Sequence, residues 1–134
     1  MTVWVIQQPV PNRQGWMPDF SSAIEYGEIQ YIFGANEKVY ALPGPSLFKA
    51  RKLLRERFNS EKDYVLWPNT GDPMACIIAC MVLGEMEFDD VKCLYWNRKR
   101  DEDGNRDSKS GFYFPINVSL NEKKEIKDDF TGAN

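Results

Sequence analysis

The stretch Tyr64-Val65-Leu66-Trp67-Pro68-Asn69-Thr70-Gly71-Asp72-Pro73-Met74-Ala75-Cys76-Ile77-Ile78-Ala79-Cys80-Met81-Val82-Leu83 decides the fold. Its first four residues are a short apolar run of strand type, and Pro68-Asn69-Thr70-Gly71 breaks it. Asp72-Pro73 then supplies a helix N-cap and a first-position proline, so a helix starts there and ends near Gly84. A strand running through a tight break into a helix is the repeating unit of an α/β fold.

Upstream, Pro43-Gly44-Pro45-Ser46 is a stop-and-restart signal. Beyond it Leu47, Ala50, Leu53, Leu54 and Phe58 recur at helical spacing with charges between them, an amphipathic helix. Residues 29–33 read as a strand before a turn at 34–36, while 39–42 are either a hairpin partner or an extended approach to that helix. Residues 2–7 alternate as a further strand, closed by Pro9 and Pro11. Ser22 and Glu25 have the spacing of a capping box for one helical turn, with Gly27 closing it.

Downstream, residues 91–96 and 112–118 are strands expected to pair as a hairpin across a turn at Asp103-Gly104-Asn105. The order strand, helix, strand, helix, strand across residues 29–96 implies right-handed crossovers. The expected architecture is a single small α/β domain over residues 1–120. It has a three-stranded, mostly parallel sheet, two crossover helices, an antiparallel C-terminal hairpin and an N-terminal edge strand. Residues 121–134, of mixed charge with little to bury, are expected to be a flexible tail.

Composition narrows the function more by exclusion than by indication. The 134 residues are 43% hydrophobic and 28% charged, with a net charge of -3, which lends no support to a sequence-independent grip on nucleic acid. No apolar run approaches the roughly 18 residues of a membrane span and no leader pattern opens the chain, so the cytoplasm is the expected compartment and no membrane partner is expected. The chain has no histidine, which removes the commonest general base, the usual metal ligand and every Ser-His or Cys-His pairing. Its acids and bases, Glu25, Glu28, Glu37, Lys38, Lys49 and Asp72 among them, have no spacing that argues for chemistry. Cys76, Cys80 and Cys93 sit in apolar surroundings. Without histidine and without a CxxC pair they make a poor zinc site, and no cofactor or metal is expected.

Three surfaces remain as candidates. The residues 74–83 carry no polar side chain on any face, so one side of that helix meets the sheet and the opposite side also needs cover. The plainer expectation is that the N-terminal segment, with Trp4, Trp16 and Phe20, folds across it; the other is an interface with a partner or a second copy, using Met74, Ile77, Ile78 and Met81. A ligand or anion site at the carboxyl edge of the sheet would draw on Ser46, Lys49, Asn69, Thr70 and Asn97. There Asp72 reads as a cap first, and no P-loop pattern is present. A basic face would use Arg51, Lys52, Arg55, Arg98 and Arg100 for an acidic partner or nucleic acid, although such charges are usually a solvated helix surface. Tyr95, Trp96, Phe112, Tyr113 and Phe114 are either core or stacking platforms for bases.

The segments Val3-Trp4-Val5-Ile6-Gln7, residues 64–75, Leu94-Tyr95-Trp96-Asn97-Arg98 and Gly111-Phe112-Tyr113-Phe114-Pro115 together resemble small α/β proteins of tailed bacteriophages. The resemblance covers most of the chain, includes no diagnostic catalytic motif and transfers no functional residue. It implies a phage setting. With the missing histidine and the all-round apolar helix, it leads to the expectation of a non-enzymatic accessory protein that binds a host or phage macromolecule, with homodimerisation as a variant. A nucleotide- or anion-binding module and a nucleic-acid binder are the alternatives.

Overall fold

The computed structural model describes residues 1–41, 44–67, 71–100 and 106–119, the side chains at 98–100 and 106–110 excepted. Leu42, Asn69, Thr70, the expected turn at Asp103-Gly104-Asn105 and the tail 121–134 lie outside that set.

Five strands form one sheet: β1 (Thr2–Gln7), β2 (Glu28–Phe33), β3 (Tyr64–Leu66), β4 (Asp90–Arg100) and β5 (Arg106–Ser119), in the order β2-β1-β3-β4-β5. Helix α1 (Pro45–Arg57) joins β2 to β3, and α2 (Pro73–Glu85) joins β3 to β4. All neighbours are parallel except β4 and β5, which pair antiparallel from Asp90↔Ser119 to Arg100↔Arg106. The α/β class and the C-terminal hairpin are therefore as the sequence predicts. Residues 39–41 are in no strand and form the extended approach to α1.

The N-terminal strand is the exception, because β1 is second in the sheet, flanked by β2 and β3, rather than at an edge. The cause is visible in its side chains. Trp4 and Ile6 join the helix-side core, Val3 and Val5 join the core of the opposite face, and all four are buried. A strand buried on both faces belongs inside a sheet, where both its edges are also satisfied. Asp63 fixes it there: the Thr2 amide donates to Oδ1 (3.0 Å), and the Trp4 indole and the Asn59 amide donate to Oδ2 (3.1 and 2.9 Å). Pro115, without an amide hydrogen, is compatible with β5 only because β5 is an edge strand.

The strand order also decides what covers each face. The step from β1 to β2 runs one way across the sheet, and the steps from β2 to β3 and from β3 to β4 run the other way. Right-handed crossovers then put the helices on one face and the β1–β2 connection on the other. So α1 and α2 pack on each other and over the helix-side core, whereas Phe20, Ala23 and Tyr26 cover the opposite face with Leu94, Trp96 and Tyr113. The N-terminal segment therefore does not cover α2, contrary to the plainer expectation, and Trp16 remains half exposed. Nor does Ser22 complete a capping box. The short turn Ile24–Tyr26 has Ala23 at its N-cap, and Ser22 Oγ instead accepts the Tyr113 amide at 3.1 Å, pinning the connection to β5. Gly27 does close the turn, its amide donating to the Ile24 carbonyl.

Candidate functional site

The carboxyl edge of the parallel strands is where such a sheet usually takes a ligand, most of all between β1 and β3, where the chain order reverses. Here Gln7, only 7% exposed, occupies that place. Its Oε1 accepts the Asp72 amide at 2.8 Å, and its Nε2 donates to the Gly34 and Glu37 carbonyls at 3.5 and 3.4 Å. One amide side chain thus ties together the loops after β1, β2 and β3. Gly71, at φ +96°, belongs to the same device: a Cβ there would lie 2.5 Å from Gln7 Oε1. Asp72 Oδ1 accepts the Met74 amide at 2.9 Å, the cap that starts α2.

Two of the five predicted ligand residues, Ser46 and Lys49, are engaged in the protein's own bonds. Ser46 is buried and its Oγ accepts the Tyr40 amide at 2.8 Å. Lys49 Nζ reaches both Glu37 oxygens, at 2.6 and 2.8 Å. Partial burial opposes ionisation of Glu37, but the bonds from Lys49 and from the Gly34 amide outweigh it and hold the carboxyl below its usual range. Asn97, on β4, pairs with Phe112 of β5, and β4 is on the other side of β3 from the Gln7 lock. Asn69 and Thr70 lie outside the described residues.

Nor do the cations on α1 make a free basic face. Arg51 forms two bonds to Glu85 at the end of α2 (3.0 and 2.6 Å), Arg55 adds a third at 3.4 Å, and Arg57 lies 5.5 Å over the Trp4 ring. The Arg51 bond holds the Glu85 carboxyl below its usual range, and the Arg51 guanidinium is raised in return. Lys52 is exposed. Arg98 and Arg100 are on β4, separated from α1 by the width of α2, and their side chains lie outside the described set.

The remaining surface is apolar. Helix α2 turns Ala75, Ile78, Ala79, Val82 and Leu83 into the core and leaves Ile77 (47%) and Met81 (44%) facing out, with Cys80 also exposed. Of the predicted interface set, Ile77 and Met81 are thus at the surface and Met74 is half-buried. Ile78 is fully buried, because it points at the sheet, and leaves the set. Beside α2 the helix-side face of the hairpin is covered at Val91 and Cys93 only, and the rest of it stays partly or fully exposed among the described residues. Tyr95 (59%), Phe112, Ile116 and Val118 are exposed there, and Trp67 (54%) stands at the end of β3. The Tyr95 and Phe114 rings meet edge-on at 5.6 Å, and Phe112 stands 6.3 Å from Phe114. Trp96 and Tyr113, on the other face, pack at 4.9 Å in the core, so the predicted aromatic platform is split between the two sides of the hairpin.

Between α2 and the hairpin lies a trough of about 540 Å³, walled by Val65, Cys76, Cys80, Leu83, Cys93 and Tyr95 and floored toward Ile116 and Val118, with no charged residue in its lining. Burial, with Cys80 beside it, pushes the Cys76 thiol up to about 11, and burial raises Cys93 in the same direction. Both are neutral thiols at neutral pH, poor nucleophiles and poor metal ligands. The trough has the chemistry of an apolar contact surface. A second depression of about 630 Å³ opens at the amino end of the parallel strands, with Glu61, Asp89 and Asp90 in its wall. There Lys92 bonds to the Glu61 carbonyl and stands over the Tyr64 ring.

Sequence reasoning found one wall of the trough, α2, and missed the other. The signal was present: Phe112, Phe114, Ile116 and Val118 recur with period two, so one whole face of β5 is apolar. No helix among the described residues is long and apolar enough to cross a membrane. The family described as phage Pam3 gp32-like protein matches residues 1–103, more than three quarters of the chain. No curated protein and no solved structure matches it.

Proposed function

The chain belongs to the phage Pam3 gp32-like protein family, and on that premise we propose that it is a non-enzymatic bacteriophage accessory protein. It works in the host cytoplasm by binding a host or phage protein, and its contact surface is the trough between α2 and the β4–β5 hairpin. The observation that carries this reading is the uncharged lining of the trough, with Trp67, Tyr95 and Ile116 exposed in it and Ile77, Met81 and Phe112 exposed on the helix and strand that wall it. Monomeric proteins rarely leave so much contiguous apolar surface in water unless something binds it. A nucleotide or anion module draws less support, since Gln7, Ser46 and Lys49 already bond within the protein. Nucleic-acid binding draws less as well, since Arg51 and Arg55 are paired with Glu85.

Capture from phage-infected host lysate tests the proposal, using the wild-type chain, Tyr95→Asp in the trough and Ile24→Asp on the opposite face. A defined protein held by the wild type and by Ile24→Asp, and lost with Tyr95→Asp, is the expected result. Capture indifferent to Tyr95→Asp counts against the trough, and turnover of any member of a nucleotide library removes the non-enzymatic part.

A further inference from the structure

The next step rests on the reading of the trough as a protein-binding surface and names its partner. We propose that the trough closes against a second copy of this chain, in a two-fold dimer where the Ile77–Met81 ridge of each α2 enters the trough of the other.

Size sets the class of occupant. Six large apolar side chains, Trp67, Ile77, Met81, Tyr95, Phe112 and Ile116, are each 38 to 59% exposed on this side of the molecule, whereas a typical monomer scatters such exposure singly. With Val118 and Cys80 also exposed, the set has the extent of side chains that a protein partner covers, roughly 800 Å² a side in a standard interface. A trough of about 540 Å³ alone suits a small molecule. The apolar surface, however, continues over the outer face of α2, beyond the reach of such a ligand.

Shape and charge then choose among proteins. A two-fold contact requires one surface to carry both halves of the fit. Here a ridge, Ile77 and Met81 one helical turn apart, runs alongside the groove bounded by Cys76, Cys80 and Gly84 of the same helix. A Cβ built on Gly84 would meet nothing within 4 Å, so the groove is open along that wall. No lining residue is charged, so a second copy, with the same net charge of -3, meets no charge within the trough itself. Interface cores depleted of charge are characteristic of homodimers, whereas steered encounters with other partners use charged surfaces.

Light scattering from micromolar concentrations upward on the full chain, with far-UV circular dichroism on the same samples, decides the matter. The wild type and Ile24→Asp are expected at twice the chain mass of 15.5 kDa, and Ile77→Asp and Tyr95→Asp at the single mass with unchanged dichroism. Should one trough variant unfold, the other serves. A wild type of single mass at every concentration overturns the inference, as does a dimer that neither trough substitution weakens. A single-mass wild type whose lysate capture still depends on Tyr95 would sink the dimer and leave the binding reading standing. A dimer broken by the trough variants, with capture unaffected by them, would do the reverse.

Discussion

Helices α1 and α2 have 13 residues each, both open on a proline, and they pack against one another on one face of the sheet, yet their outer surfaces have opposite characters. The outer side of α1 is cationic and its charges find partners: Lys49 with Glu37, Arg51 and Arg55 with Glu85. The outer side of α2 is Ile77, Cys80 and Met81, and no side chain in its sequence from Met74 to Leu83 is charged. Position in the sheet accounts for the contrast. Helix α1 flanks β2, with solvent on one side, whereas α2 has α1 on one side and the partly exposed apolar face of the hairpin on the other. An all-round apolar helix needs cover on three sides, and the described residues supply two. The third is where the proposed contact surface lies.

The sharpest way to break the comparison is to place a carboxylate on each side of α2. Ile78→Asp buries an unpaired charge at a fully buried position and is expected to cost about 4 kcal/mol or more, enough to unfold the chain by circular dichroism. Ile77→Asp, one residue away and half exposed, is expected to leave it folded; equal loss of structure in both would make α2 core on every side. A smaller effect belongs to the helix starts. Asp72→Ala removes the side-chain cap of α2 and is expected to lower unfolding free energy by about 1 kcal/mol in urea titrations. No side chain caps α1, whose N-cap is Gly44. No change for Asp72→Ala would mean that packing alone fixes the start of α2.

The smallest effect concerns the charges on α1, which are exposed and screened by salt. Arg51, more than Arg55, holds the Glu85 carboxyl below its ordinary range, so the folded value lies under the unfolded one. A group lowered in this way adds stability above its unfolded value, and that contribution disappears as pH falls through the folded value. Glu85→Gln should therefore lie slightly below the wild type in urea midpoint at neutral pH and converge with it in acid. A gap that widens on acidification would contradict the pairing.

Much of this was legible in short-range patterns. Asp72-Pro73 and Pro45 marked both helix starts, and the spacing of Leu47, Ala50, Leu54 and Phe58 marked the buried side of α1. What escaped depends on relations across the chain. The central place of β1 was hinted at by the unbroken apolar run from Val3 to Ile6, but its neighbours, β2 and β3, are set by the direction of later crossovers. That direction also sends Phe20 to the face away from α2. Nothing local marks Gln7, because its bond to the Asp72 amide spans 65 residues. The apolar face of β5 could be read as strand, but its exposure follows from the lack of a helix between β4 and β5 among the described residues.

The most direct test reads coverage of the trough itself. Cys80 stands exposed on its rim, so its labelling by a maleimide, located by mass spectrometry, can be followed as the protein is diluted. A closed trough predicts slow labelling of Cys80 in concentrated protein and rapid labelling on dilution, with Ile77→Asp rapid throughout. Labelling of Cys80 at one fast rate at every concentration, in wild type and variant alike, would contradict closure by a second copy.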